Sequence, residues 1–198
     1  AALANLYGTG DGCSAYGNRN FWRMFSDWFG GTLAPNFSAQ PVWQQIYTDN
    51  TRSNLIGWNA SLNPGQTATA VVAMRNTGNV TWTRSGGPGT TDTRLVTYGP
   101  WGRTSAFCPG NWVINCSRPA SLLEDSVAPG QIGSFEFQIA APNQLGLYNE
   151  YFSLVIDGRS TFSSGVVNLQ LNVVAPTAQP TWQNIYTNSS KTSSKGWN

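Results

Sequence analysis

From Thr67 onward, apolar and polar residues alternate in short runs: ATAVVAMRNTGNVTWTR, TRLVTYGP, SFEFQIAAP, YNEYFSLVIDG and VVNLQLNVV. An extended chain sends successive side chains to opposite faces. Phe135, Phe137 and Ile139 therefore share one side of their run, and Val167, Leu169, Leu171 and Val173 share one side of theirs. Between the runs stand NPGQ, NTGN, APGQ and IDGR, which place Gly, Pro and Asn where a chain must reverse. About six to eight strands at this spacing predict two packed antiparallel sheets.

The period changes upstream. In NRNFWRMFSDWFGG, Phe21, Phe25, Trp28 and Phe29 recur at steps of three and four, the spacing of one helical face, and Gly30 supplies a stop. A short helix over about residues 18–30 is expected. Alone it is marginal in water, so it either ends a preceding domain or docks on the sandwich.

A second signal is a repeat. PVWQQIYTDNTRSNLIGWN at 41–59 returns without a gap as PTWQNIYTNSSKTSSKGWN at 180–198. A period of a whole domain points to tandem modules. The expected division is a preceding domain's tail at 1–40, one module at 41–176, and at 177–198 a proline-containing linker with the start of the next repeat. The alternative is that 180–198 is a self-contained tail. Trp43 and Trp58, with their copies Trp182 and Trp197, are expected to seal the junction between modules.

The run MRNTGNVTW at 74–82, the turn VAPGQ at 127–131, AAP at 140–142 and GLYNEYFSLVIDG at 146–158 with Phe162 resemble the four-tryptophan immunoglobulin-like domain. That family is best known from a selective-autophagy cargo receptor, and similar domains occur in bacterial surface and secreted proteins. The resemblance covers most of residues 60–174, and Asn76, Thr77 and Gly78 followed by Trp82 are its most specific part. It implies an all-β fold, an immunoglobulin-like antiparallel β-sandwich, with Phe152 also in the motif core. Of the family's four tryptophan positions only Trp82 is kept; the others align with Val72, Phe152 and Val167. A ligand surface built on those tryptophans does not carry over.

Composition then narrows the chemistry. Charged residues are 10 % of the chain, the net charge is +2 and no run of like charge exists, so no nucleic-acid footprint or basic membrane stripe is visible. No stretch reaches the ~20 apolar residues of a membrane-spanning helix. Histidine is absent, which removes the commonest general base and metal ligand. Carboxylates are dispersed, with Glu124 and Asp125 the adjacent pair, and Asp49 and Asp92 lie in loops without a calcium spacing. No metal and no cofactor is expected.

Cys108 and Cys116 bracket PGNWVIN, and a disulfide between them is expected to contribute about 2–3 kcal/mol in the chain-entropy picture. Cys13 is left over. The same insertion carries Tyr98, Trp101, Phe107 and Trp112. Planar rings on a stiffened loop are the candidates for gripping a surface glycan or a protein; the competing reading has two or three of them capping the core. The expected function is a non-catalytic module of a secreted or cell-surface tandem-repeat protein, spacing and adhering, with neighbouring repeat modules as partners. The alternative is a targeting arm of an upstream cell-wall hydrolase.

Overall fold

The computed structural model describes residues 34–84, 92–158, 160–162 and 164–176, with residues 185, 186, 190, 194 and 195. The helix expected at 18–30 and Cys13 lie outside these residues. In chain order the strands are β1 (Ala39–Tyr47), β2 (Leu55–Gly57), β3 (Ala60–Leu62), β4 (Thr67–Asn76), β5 (Trp82–Thr83), β6 (Thr93–Thr97), β7 (Ser126–Val127), β8 (Ile132–Ala140), β9 (Gly146–Ile156), β10 (Ser160–Thr161), β11 (Val167–Val173), β12 (Ile185–Tyr186) and β13 (Ser194–Lys195). Among the described residues, a single 3-10 turn, Asn115–Ser117, interrupts them.

The described residues form an all-β fold. One sheet has the order β2-β1-β4-β8; a second runs β10-β9-β11-β3, with β6 on the other side of β9. All pairings are antiparallel except β11 with β3, where Leu171, Asn172 and Val173 run parallel to Ala60, Ser61 and Leu62. The alternation read from the sequence sets the core: Phe135, Phe137 and Ile139 from β8 meet Val167, Leu169, Leu171 and Val173 from β11 in one buried cluster. The positions Val72, Trp82, Phe152 and Val167 all belong to that cluster.

Asn76 explains the NTGN turn. Its side chain is fully buried, donates through Nδ2 to the Val80 and Val127 carbonyls, and accepts the Gly78 N–H on Oδ1. Three bonds from one amide thus tie two loops together. Asn79 then holds the incoming chain: Asn36 N–H donates to its Oδ1 at 2.7 Å, and its Nδ2 donates to the Ala34 carbonyl at 3.0 Å. Thr77 Oγ1 and Ser164 Oγ both bond Ser38 Oγ. Residues 34–40 are consequently part of the same folded body as β1, upstream of the boundary expected at 41.

Gly78 permits that contact, because a Cβ there would lie 2.1 Å from the Asn36 carbonyl oxygen. Gly165 does the same farther on, with φ +93 and the Ala39 Cβ at 2.7 Å from its own hypothetical one. Gly78→Ala is expected to cost about 1–3 kcal/mol through overpacking. It should also raise hydrogen exchange selectively at the Asn79 and Thr77 amides, which bond residues 36 and 38. Unchanged exchange at both amides would refute this assignment of the glycine.

The repeat has a structural counterpart. Tyr47 pairs with Leu55 in the β1–β2 hairpin, and Tyr186 pairs with Ser194 in the β12–β13 hairpin. These two pairs are equivalent, 139 positions apart, whereas the next pair is offset by one residue: Ile46 pairs with Gly57 across a register shift, and Ile185 with Lys195. No helix among the described residues is long and apolar enough to cross a membrane.

Candidate functional site

The insertion between β6 and β7 turns back along the free edge of β8. Leu122 bridges Phe135, Leu123 N–H donates to the Ser134 carbonyl, and Ala140 N–H donates to the Phe107 carbonyl at 2.9 Å. The loop therefore seals the gap between the sheets at that edge, and the apolar rings it carries fall into the gap. Phe107 is fully buried, edge-on to Tyr148 with centroids 5.1 Å apart. Trp112 is 6 % exposed, packs on Phe137 and Phe152, and donates Nε1–H to the Gln138 carbonyl at 2.7 Å. For both residues the contact-residue reading fails and the competing one, that they cap the core, describes where burial puts them. Cys108 and Cys116 form the expected disulfide, with Cα atoms 5.3 Å apart.

Tyr98 and Trp101 remain at the surface. Their rings meet edge to face at 5.0 Å, and Trp101 is 40 % exposed. The turn that carries them is tightly bonded: Gly102 N–H donates to the Thr97 carbonyl, Thr97 Oγ1–H to the Arg103 carbonyl, and Arg103 Nε–H to the Tyr98 carbonyl. Beneath it, Arg103 Nη2 lies 2.9 Å from Glu150 Oε2, which also accepts from Ser105 Oγ at 2.8 Å. A buried charge pair thus anchors an exposed aromatic turn.

Strand register extends this patch. Thr97 and Phe152 pair facing the core, so Tyr98 and Tyr151, joined by a Tyr98 N–H to Tyr151 carbonyl bond, face outward side by side. On the other flank Tyr151 pairs with Asn168, Asn149 with Gln170, and Leu147 with Asn172. Tyr151 is 40 % exposed and Leu147 66 %. Farther along the same face Val96, Ser153 and Val155 are buried, so the open part lies toward Gly146. Sequence reasoning missed Tyr151, Asn149, Asn168 and Gln170. The alternation of β9 and β11 marks them as outward, yet only the register brings them beside Tyr98.

A cleft of about 420 Å³ lies on the opposite flank of the loop, lined by Asn50, Thr69, Arg84, Asn111, Trp112 and Glu136 among others. Much of its polar lining is already committed. Asn111 Nδ2 donates to Gln138 Oε1, Arg84 pairs with Asp125, and Glu136 sits 2.5 Å from Arg52.

Every carboxylate among the described residues has a partner. Arg94 joins Asp92 and Asp157, Arg118 also reaches Asp157, and Glu124 accepts the Ser134 N–H. Glu124 and Asp125 thus turn to different partners. No cluster of three or more metal-ligating side chains occurs among the described residues.

Asp49 is held by its own loop. It accepts the N–H groups of Thr51, Ser53 and Asn54, the Thr51 hydroxyl and the Asn54 side-chain amide. The Thr51 hydroxyl and then the Ser53 backbone bond hold its pKa well below the ordinary carboxylate range. A lowered folded-state value contributes stability that is complete above the unfolded value of about 3.9 and is lost only as pH falls through the folded one. The carboxylate resonance of Asp49 should therefore stay at its ionised shift at about pH 3, below the free-aspartate midpoint. A midpoint near the free-aspartate value would contradict the loop's hold on it.

No family model and no curated protein matches this chain. Among solved structures, a family 123 glycoside hydrolase from Clostridium perfringens, described for glycolipid glycan hydrolysis, is similar at 12 % identity and a TM-score of 0.36. The similarity covers 71 % of this chain and 27 % of that one. At that level it carries no argument about this protein.

Proposed function

We propose that this chain contains a non-catalytic, immunoglobulin-like module of a secreted or cell-surface tandem array, a spacer that also presents a contact surface for a glycan or a protein. The observation that carries the reading is the recurrence of residues 41–59 at 180–198, a domain-length interval, with both copies forming an antiparallel strand pair that shares the Tyr47–Leu55 and Tyr186–Ser194 position. The strand arrangement supports the immunoglobulin-like assignment. β1, β4 and β8 lie in one sheet, β6, β9 and β11 in the other, and β3 crosses over to pair parallel with β11.

Spacing follows from where the chain enters and leaves. Ala39 opens β1 against Gly165, just before β11 begins, whereas the module is left at the far end of β11. Entry and exit stand at opposite ends of the body. The disulfide suits an oxidising compartment. Carboxylates already occupied by arginines and N–H groups favour a binding role over acid-base catalysis.

Limited proteolysis tests the modular reading. Cutting the full chain within VVAPTAQPTW at 173–182 should release the second hairpin and leave the upstream fragment, which contains the body at 34–173, with an unchanged unfolding midpoint. Loss of cooperative unfolding on release would make the second copy part of the first body and end the proposal.

A further inference from the structure

We propose that the outer face of the second sheet, at its Gly146 end, is a platform for a neutral, extended polysaccharide; this rests on the contact-surface reading above and names its ligand. Neighbouring strands lie about 4.8 Å apart. The register thus lays Tyr98, Tyr151 and Asn168 in one row across three strands, and Asn149 with Gln170 in the next. Trp101 stands against Tyr98 at the margin. Rings offer flat apolar area for the C–H faces of pyranoses at low entropic cost, and amides both donate to and accept from hydroxyls.

Three observations select this ligand class. First, none of these positions carries a charge; the ionised side chain on this face, Arg94, lies at the other end and is held by Asp92 and Asp157. A charged polymer has nothing to pair with here, whereas a neutral one loses nothing by approaching. Second, Asn149 and Asn168 are already joined by a bond from Asn168 Nδ2–H to Asn149 Oδ1 at 3.0 Å, which orients both amides before any ligand arrives. Third, the face is open and sits on paired strands, with the aromatic turn fixed through Arg103 and Glu150. An open, rigid face without walls suits a chain lying across it, not a small molecule that must be enclosed. A protein partner would instead call for an apolar centre, and the centre here is amide.

Affinity electrophoresis of the full chain decides the matter, through gels containing hydroxyethylcellulose, xylan or glucomannan, and through gels containing polygalacturonate or heparin, with pull-downs on cellulose and chitin. The wild type should be retained by at least one neutral polymer, equally at low salt and at about 1 M salt, where charge attraction is screened. Trp101→Ala and Tyr151→Ala should each weaken retention about tenfold or more, and Gln170→Ala should weaken it with an unchanged unfolding midpoint. Retention by no neutral polymer overturns the platform, as does retention by anionic polymers alone that vanishes in salt. Retention undiminished in all three variants moves the contact surface elsewhere and sinks this site while the modular reading, tested by proteolysis, stands.

Discussion

Replacing Phe152 with alanine should lower the unfolding free energy by about 3–5 kcal/mol, a large fraction of the roughly 5–15 kcal/mol that holds an ordinary domain folded. The ring is fully buried in β9 and is edge-packed by Phe137 at 5.2 Å and Trp112 at 6.2 Å. It joins β8, β9 and the loop that seals them, so its removal leaves a cavity bordered by three elements that cannot all close on it. Phe152→Leu, which keeps most of the volume, should recover much of the loss. Urea unfolding by tryptophan fluorescence checks both. A drop below about 1.5 kcal/mol for the alanine variant, at an unchanged denaturant slope, would mean the site relaxes and the two sheets are less tightly coupled than described.

Glu150→Ala comes next in size, two residues earlier on the same strand, and acts by a different cause. Its side chain is 8 % exposed and accepts from Arg103 and Ser105. Taking away one member of a buried pair leaves the other charge uncompensated, at about 3–5 kcal/mol for a fully buried partner. Arg103 is 21 % exposed, so the lower part of that range is expected. The double variant Glu150→Leu with Arg103→Met removes both charges and should be more stable than Glu150→Ala alone. It should still loosen the turn at 98–103, because the Arg103 Nε–H bond to the Tyr98 carbonyl is gone. Stability and retention on polysaccharide should therefore separate in the double variant: the first restored, the second reduced. Equal loss of both in single and double variants would show that the pair holds nothing beyond its own charges.

Strands with a buried face announced themselves in the sequence. β8 and β11 alternate strictly, and their inward residues are those read as inward. β4 is less regular, since seven consecutive residues from Ala68 to Met74 are buried. It is flanked by β1 and β8, and its register could not be read from alternation alone. The loop from Tyr98 to Leu123 has no period, so nothing in its spelling separates Trp101, which stays out, from Trp112, which closes the edge of β8. The pairing of Cys108 with Cys116 was legible because proximity in sequence sufficed. The amide rows were not, because a lateral neighbour is set by strand register and register depends on partners far along the chain.

The parallel pairing of β3 with β11, taken with the strap at residues 34–38, also sets how the module answers a pull on its two ends. Tension drawing Ala39 one way and Val173 the other runs along the strands. It loads the β1–β4 ladder and the β3–β11 and β9–β11 ladders lengthwise, so many hydrogen bonds share the force and must yield together. A hairpin pulled open from its tip would give up one bond at a time. Built this way, the body between Ala39 and Val173 would act as a stiff, load-bearing link that resists extension until a whole ladder shears.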